Sequence, residues 1–143
     1  MAARPQPLLS EEIARGIVRV KKRLIAEADR RLAERGEGVL HFQVLSALRR
    51  SGPCAQNELA ESIGQHPTGI SRLLEELEQA GLVRRARNRL DRRKLVVAPT
   101  ARGRSFLAER QPLVDAAVEH VLSPLAQEER VALRDLLWRM LEG

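Results

Sequence analysis

Nine basic side chains crowd one short stretch of this chain. Arg84, Arg85, Arg87, Arg89, Arg92, Arg93, Lys94, Arg102 and Arg104 fall between Leu82 and Arg104, with Asp91 the single acid among them. The 143 residues carry a net charge of +6, and outside this stretch 16 of the 25 bases face 18 of the 19 acids, so the remainder is close to neutral. A block of one sign repels itself unless a polyanion meets it, and duplex DNA carries one negative charge per about 1.7 Å of axis. Arginine dominates over lysine here, and its planar fork suits phosphate contacts and insertion into a narrow minor groove. The chemistry on offer is therefore the binding of a nucleic acid. Phe42, Phe106 and Trp138 are the only aromatics, too few for the stacking platforms that single strands need.

Other chemistries find no footing. There is no Gly-rich phosphate loop, no serine on a strand-to-helix elbow and no acid pair isolated in an apolar run. His41, His66 and His120 stand three or four residues from neither one another nor Cys54. No enzyme, metal or cofactor is expected. Cys54 is the sole cysteine, which excludes an internal disulfide and fits a reducing, cytoplasmic setting. The opening residues lack an apolar core of a leader, and no run approaches the roughly 20 apolar residues of a membrane span.

A basic hairpin reads DNA only if something positions it. Before it, Leu59 and Ile63 lie four apart with small Ala60 beside them, and Gly64 ends that helix. A second periodic run follows, in which Ile70, Leu73, Leu74 and Leu77 face inward while Thr68, Gly69, Ser71 and Arg72 face out. Two helices joined by a short turn containing Gly form the helix-turn-helix pattern, although an ordinary helical hairpin in a core shares it. Gly81 stops the second helix. The segments Leu82–Ala86 and Lys94–Val97 then read as strands around the polar turn Arg87-Asn88-Arg89-Leu90-Asp91, a β-hairpin or wing.

Taken together, Asn57-Glu58-Leu59-Ala60, the run from Leu73 through Gly81-Leu82-Val83-Arg84-Arg85, and Asp91-Arg92-Arg93 followed by Thr100 and Gly103 resemble the multiple-antibiotic-resistance regulator (MarR) family of winged helix-turn-helix repressors. Pro99 departs from the pattern, standing where the family usually has Leu. The resemblance implies that Arg93 enters the minor groove at the wing tip and that Asp91 orients it. It also implies a small, often aromatic or anionic effector held between the dimerising helices and the reading domain, with no residue assigned to it. Family members that sense peroxides do so with a cysteine in the first long helix, where this chain has none; Cys54 is expected to be a buried structural thiol.

The flanks read as dimerisation helices. After a Pro-rich arm, Ser10 is expected to cap a helix in which Ile13, Ile17, Val20, Leu24, Ala28 and Leu32 form one stripe. A shorter helix from Val39 to about Arg50 turns Leu40, Val44, Leu45 and Leu48 inward. Cys54-Ala55 is expected to pair with the wing. Thr100 caps a long helix that Pro112 should kink or split, and Pro124 separates a last helix carrying Val131, Leu133, Leu136, Leu137, Met140 and Leu141. Both ends thus carry more apolar helix than a small domain can bury, as expected if they interlock across a two-fold axis.

The expected fold is mainly α with a small β-hairpin wing: an N-terminal arm and dimerisation helix over 1–36, a winged helix-turn-helix over 37–99 and C-terminal dimerisation helices over 100–143. The expected function is that of a homodimeric, sequence-specific regulator, a repressor, acting on a near-palindromic double-stranded operator and released by a small effector. His66, Thr68, Gly69, Ser71 and Arg72 are the expected contacts of the recognition helix, and Arg87, Arg89, Asp91, Arg92 and Arg93 those of the wing. A sequence-independent architectural binder and a winged-helix protein-interaction module are the alternatives.

Overall fold

The computed structural model describes residues 2–36 and 38–143; Met1, at the head of the expected arm, and Glu37, in the expected break and at the expected domain boundary, lie outside them. In chain order come α1 (Leu9–Ala33), α2 (Val39–Ser51), β1 (Cys54–Ala55), α3 (Gln56–Ser62), α4 (Pro67–Gln79), β2 (Val83–Arg87), β3 (Leu95–Pro99), α5 (Ala101–Leu122) and α6 (Gln127–Glu142).

α1 starts one residue before the expected Ser10 cap. Leu8 is the cap residue, and its backbone N–H donates to the Glu11 carboxylate at 3.3 Å, so an acid reaching back from the first turn replaces the serine. The first half of α1 leaves Ile13, Ile17, Val18 and Val20 exposed, whereas Ala28 and Leu32 enter the core where the helix lies along α5. Glu27 on this half accepts from Arg30 and stands 3.5 Å from Arg31, and the Arg30 hydrogen bond holds its carboxyl below the usual carboxylate range.

α2 is buried almost all round through Val39, Phe42, Val44, Leu45, Ala47 and Leu48. Leu40 was expected inward but is exposed. It sits in the first turn of α2, one turn ahead of Val44, where that face is not yet covered. The core joins these residues to Leu59 and Ala60 of α3, Ile70, Leu74 and Leu77 of α4, Val83 and Val97 of the sheet, and Leu107 and Ala117 of α5.

The sheet is antiparallel in the order β1-β3-β2, with Val97 opposite Cys54 on one side and Arg85 on the other. The expected pairing of Cys54-Ala55 with the wing is therefore present. Both wing strands start one residue later than expected because the preceding residues close turns. Leu82 N–H bonds the Leu77 carbonyl at 2.9 Å, and Lys94 N–H bonds that of Asp91 at 3.0 Å. Pro99, lacking an N–H, is tolerated at the strand end. α5 runs through Pro112 rather than splitting at Gln111: Pro112 is solvent-exposed while Leu107, Leu113 and Val114 on either side pack into or against the core.

One junction ties these parts together. α4 ends in a Schellman motif, with Gly81 at φ +76°, its N–H on the Glu78 carbonyl (3.0 Å) and Leu82 N–H on that of Leu77. The Thr100 hydroxyl donates to the Gly81 carbonyl at 2.6 Å and accepts from Gly103 N–H at 3.0 Å, while Thr100 N–H bonds the Leu82 carbonyl at 3.1 Å. A single threonine thus caps α5 and fastens its start to the end of α4. Gly103 is required by space, since a Cβ there would lie 2.1 Å from the Leu82 carbonyl oxygen. Gly103→Ala is expected to lower stability by about 3 kcal/mol or more, whereas Gly69→Ala, with open space around it, should raise it by about 1 kcal/mol. Denaturant unfolding of the two variants checks the contrast.

Candidate nucleic-acid interface

The helix-turn-helix forms for local reasons. Leu59 and Ala60 are buried, the small alanine letting α3 approach its neighbours, and Gly64 takes φ +68° to turn the chain. Gln65 N–H returns to the Ala60 carbonyl at 2.9 Å, which closes the turn. His66 then caps α4: its backbone is extended, its Nδ1 accepts from Thr68 N–H at 3.2 Å, and Pro67 occupies the first helical position. Accepting at Nδ1 places the proton of the neutral ring on Nε2. Ile70, Leu74 and Leu77 bury one face of α4, Thr68, Gly69, Arg72 and Glu75 lie exposed, and Ser71 is half-buried. His66 therefore has a structural task, the cap, that sequence reasoning did not give it.

The wing tip is built by side chains bonding to backbone. Asn88 Oδ1 accepts from Leu90 N–H at 2.8 Å and Asp91 N–H at 3.4 Å, an Asx turn that sequence reasoning missed although Asn at the start of a tight turn is its usual sign. Asn88 N–H bonds the Lys94 carbonyl at 2.9 Å and closes the hairpin. Beneath the tip, Arg87 Nη1 donates to the Arg92 carbonyl at 3.2 Å. Asp91 Oδ1 accepts from both the backbone N–H (3.1 Å) and the Nε (3.2 Å) of Arg93, whose side chain is 92 % exposed. Arg89 and Arg92 are exposed as well.

The basic stretch is not uniform. Arg85 turns inward, with its side chain 14 % exposed, to Glu78 and Gln56, and Arg104 Nη1 reaches the Pro99 carbonyl at 3.4 Å. Arg84, Arg87, Arg89, Arg92, Arg93 and Lys94 remain on the surface. The structure thus brings the expected wing residues together on one hairpin and the expected helix residues onto the first turn and a half of α4.

Behind this module lies a cleft of about 570 Å³ between α1, α2, α5 and the turn after α3, lined by Lys21, Ile25, Phe42, Arg50, Ile63 and Val114 among others. Arg50 is fixed there by a 2.9 Å bond to Ser46. Cys54 is half-buried in β1. Among the described residues no three His, Cys, Asp or Glu side chains converge as a metal site, and no helix is long and apolar enough to cross a membrane.

Comparison with known proteins agrees with this geometry. Residues 38–94 match the model of the MarR family. The HTH-type transcriptional repressor NicR of Pseudomonas putida is 32% identical over 104 residues, spanning 73% of this chain and 66% of NicR. Among solved structures, a MarR-family transcriptional regulator from Rhodococcus superposes with a TM-score of 0.83 at 26% identity, covering 94% of this chain and 96% of the other. BpsR of Bordetella bronchiseptica, whose DNA binding is regulated by 6-hydroxynicotinic acid, gives 0.81 at 24% identity over 97% and 99%.

The Asx turn yields a prediction. Asn88→Ala is expected to speed amide exchange over residues 89–93 by about fivefold to tenfold, about 1 kcal/mol per lost bond, with the melting temperature unchanged. Hydrogen-exchange mass spectrometry reads both the site and the size of the effect.

Proposed function

Because the chain belongs to the MarR family of transcriptional regulators, we propose that it acts as a homodimeric repressor that reads a near-palindromic site in double-stranded DNA. The observation that carries this reading is the exposed Arg93 at the wing tip, its guanidinium oriented by Asp91 and paired with no other acid among the described residues. The first turns of α4 enter the major groove, with Thr68, Gly69, Ser71 and Arg72 against base edges and phosphates and His66 at the helix start. Gly69, with nothing around it, lets backbone approach closely. Arg72 is the base-reading residue, suited to a bidentate contact with guanine. Arg87, Arg89, Arg92 and Arg93 follow the adjacent minor groove and read its width.

Dimerisation is supported by the apolar side chains the single chain leaves wet: Ile13, Ile17 and Val20 on α1, and Val131, Leu136, Trp138, Met140 and Leu141 on α6. Full burial of each is worth roughly 1.5–3 kcal/mol, so two copies sharing these faces gain far more than one copy alone. The segments 1–36 and 100–143 then dimerise and 37–99 reads, with half-sites about 10 base pairs apart. In this reading the chain performs no catalytic step and works in the cytoplasm.

Release by a small effector fits the cleft behind the reading module. Phe42 and Ile25 offer an apolar wall, and Lys21 and Arg50 outweigh the one acid of the lining, Glu61, which suits a flat aromatic anion. Such a ligand weakens DNA binding only if it favours the arrangement of the two reading modules that does not fit DNA. The regulation of BpsR by 6-hydroxynicotinic acid makes pyridine and benzene carboxylates the first candidates.

Binding to duplex DNA as a function of salt tests the reading. Arg93→Ala should weaken binding to every sequence and lower the slope of log affinity on log salt by about 0.9 per protomer. Arg72→Ala should instead erase roughly 1–3 kcal/mol of discrimination at one base pair per half-site. A wild-type chain whose affinity is shallow in salt would overturn the DNA reading in favour of a protein-interaction module, and equal affinity for all sequences would favour an architectural binder.

A further inference from the structure

We propose that Arg85 is a positioning residue that fixes the angle between the wing and the recognition helix, and that it makes no contact with DNA although it lies within the basic stretch. The proposal rests on the DNA-binding reading above and specifies how that site is held.

Arg85 sits in β2 opposite Val97, which is fully buried between β1 and β2. Its Nη2 donates to Glu78 Oε1 at 3.3 Å and its backbone N–H donates to Glu78 Oε2 at 3.2 Å, so both oxygens of that carboxylate are engaged by one residue. Its Nη1 donates to Gln56 Oε1 at 3.4 Å. Glu78 belongs to the last turn of α4 and Gln56 is the first residue of α3. One guanidinium therefore fastens the wing to both helices of the helix-turn-helix.

The contrast with Arg93 is physical. Arg93 is 92 % exposed, and its partner among the described residues is Asp91 of its own loop. Arg85 is mostly out of water and paired with a carboxylate, so reaching a phosphate would mean abandoning two partners and releasing Glu78. A charge already neutralised by Glu78 displaces no counterion from DNA. A planar fork can bridge two acceptors at fixed directions where a lysine ammonium cannot, so lysine is a poor substitute here despite equal charge. The other anchors of the wing, the β1–β3 pairing and the buried Val83 and Val97, hold its base, and Arg85 ties the same hairpin to α3 and α4.

The test measures geometry and binding separately. Nitroxides are placed at Leu90 on the wing tip and at Glu75 on α4, in a Cys54→Ser background. The labelled chain is diluted with unlabelled protein so that pulsed electron spin resonance reads distances within one chain. Arg85→Met, Arg85→Lys and Glu78→Ala are each expected to broaden that distance distribution relative to wild type. Glu78 is exposed, so its variant folds even if Arg85→Met does not. In unlabelled Arg85→Met and Arg85→Lys, duplex affinity should fall about tenfold with the salt slope left at the wild-type value, unlike Arg93→Ala. An unchanged distance distribution in Glu78→Ala and Arg85→Lys would overturn the proposal, and so would a slope that drops by about 0.9 per protomer in Arg85→Lys or Arg85→Met. Failure of the wild-type chain to bind duplex would overturn the DNA reading alone, with the distance measurement still deciding the role of Arg85.

Discussion

The hydroxyl of Thr100 is the constraint on which the reading module depends. It donates to the Gly81 carbonyl and accepts from Gly103 N–H, so the place where the recognition helix stops and the place where α5 begins share one side chain. The wing leaves and returns at that point, its strands running from Val83 and back to Pro99. Close approach is possible because residue 103 has no side chain, its backbone lying against the Leu82 carbonyl. Recognition helix, wing and long C-terminal helix are consequently fastened to one another at a single junction.

Charge is divided around this unit. Some arginines are drawn onto the fold: Arg85 into the Glu78 and Gln56 contacts and Arg110 over the ring of Phe106 at 3.6 Å, while Arg104 stays exposed with one bond to the Pro99 carbonyl. Those at the wing are held by backbone bonds yet keep their charge in solvent, with Asp91 spent on aiming Arg93. Burying a guanidinium is costly unless it is paired, and a surface guanidinium beside others of its kind gains from a polyanion. The same residue type thus serves two ends: Arg85 and Arg87 share a strand face by alternation, yet Arg85 is the one that meets Glu78 and Gln56.

That division marks how far the sequence could be read. The turn at Gly64, the stop at Gly81, the cap at Thr100 and the inward face of Ile70, Leu74 and Leu77 were all legible, because glycine, threonine and apolar spacing each act through local geometry. Counting charge could not say which arginine points inward. Strand alternation hinted that Arg84 and Arg85 lie on opposite faces, but only the position of Glu78 beside the sheet decides which one is buried. Leu40 was misjudged because periodicity says which face of α2 is apolar and not how far the cover extends. The start of α1 lies two residues ahead of the expected one because Glu11 reaches back to Leu8 and makes Ser10 unnecessary as a cap. The Asx turn of Asn88 follows from a local rule, asparagine at the start of a tight turn.

Two copies of this module are expected to present helix and wing to successive grooves of one duplex. Hydroxyl-radical footprinting of the wild-type chain on the DNA flanking its own gene tests that claim most directly. The prediction is two protected patches on one face of the duplex, about one helical turn apart, each bordered by protection in the neighbouring minor groove. A single patch, protection spread evenly along the fragment, or none at salt low enough to favour any basic protein would contradict it.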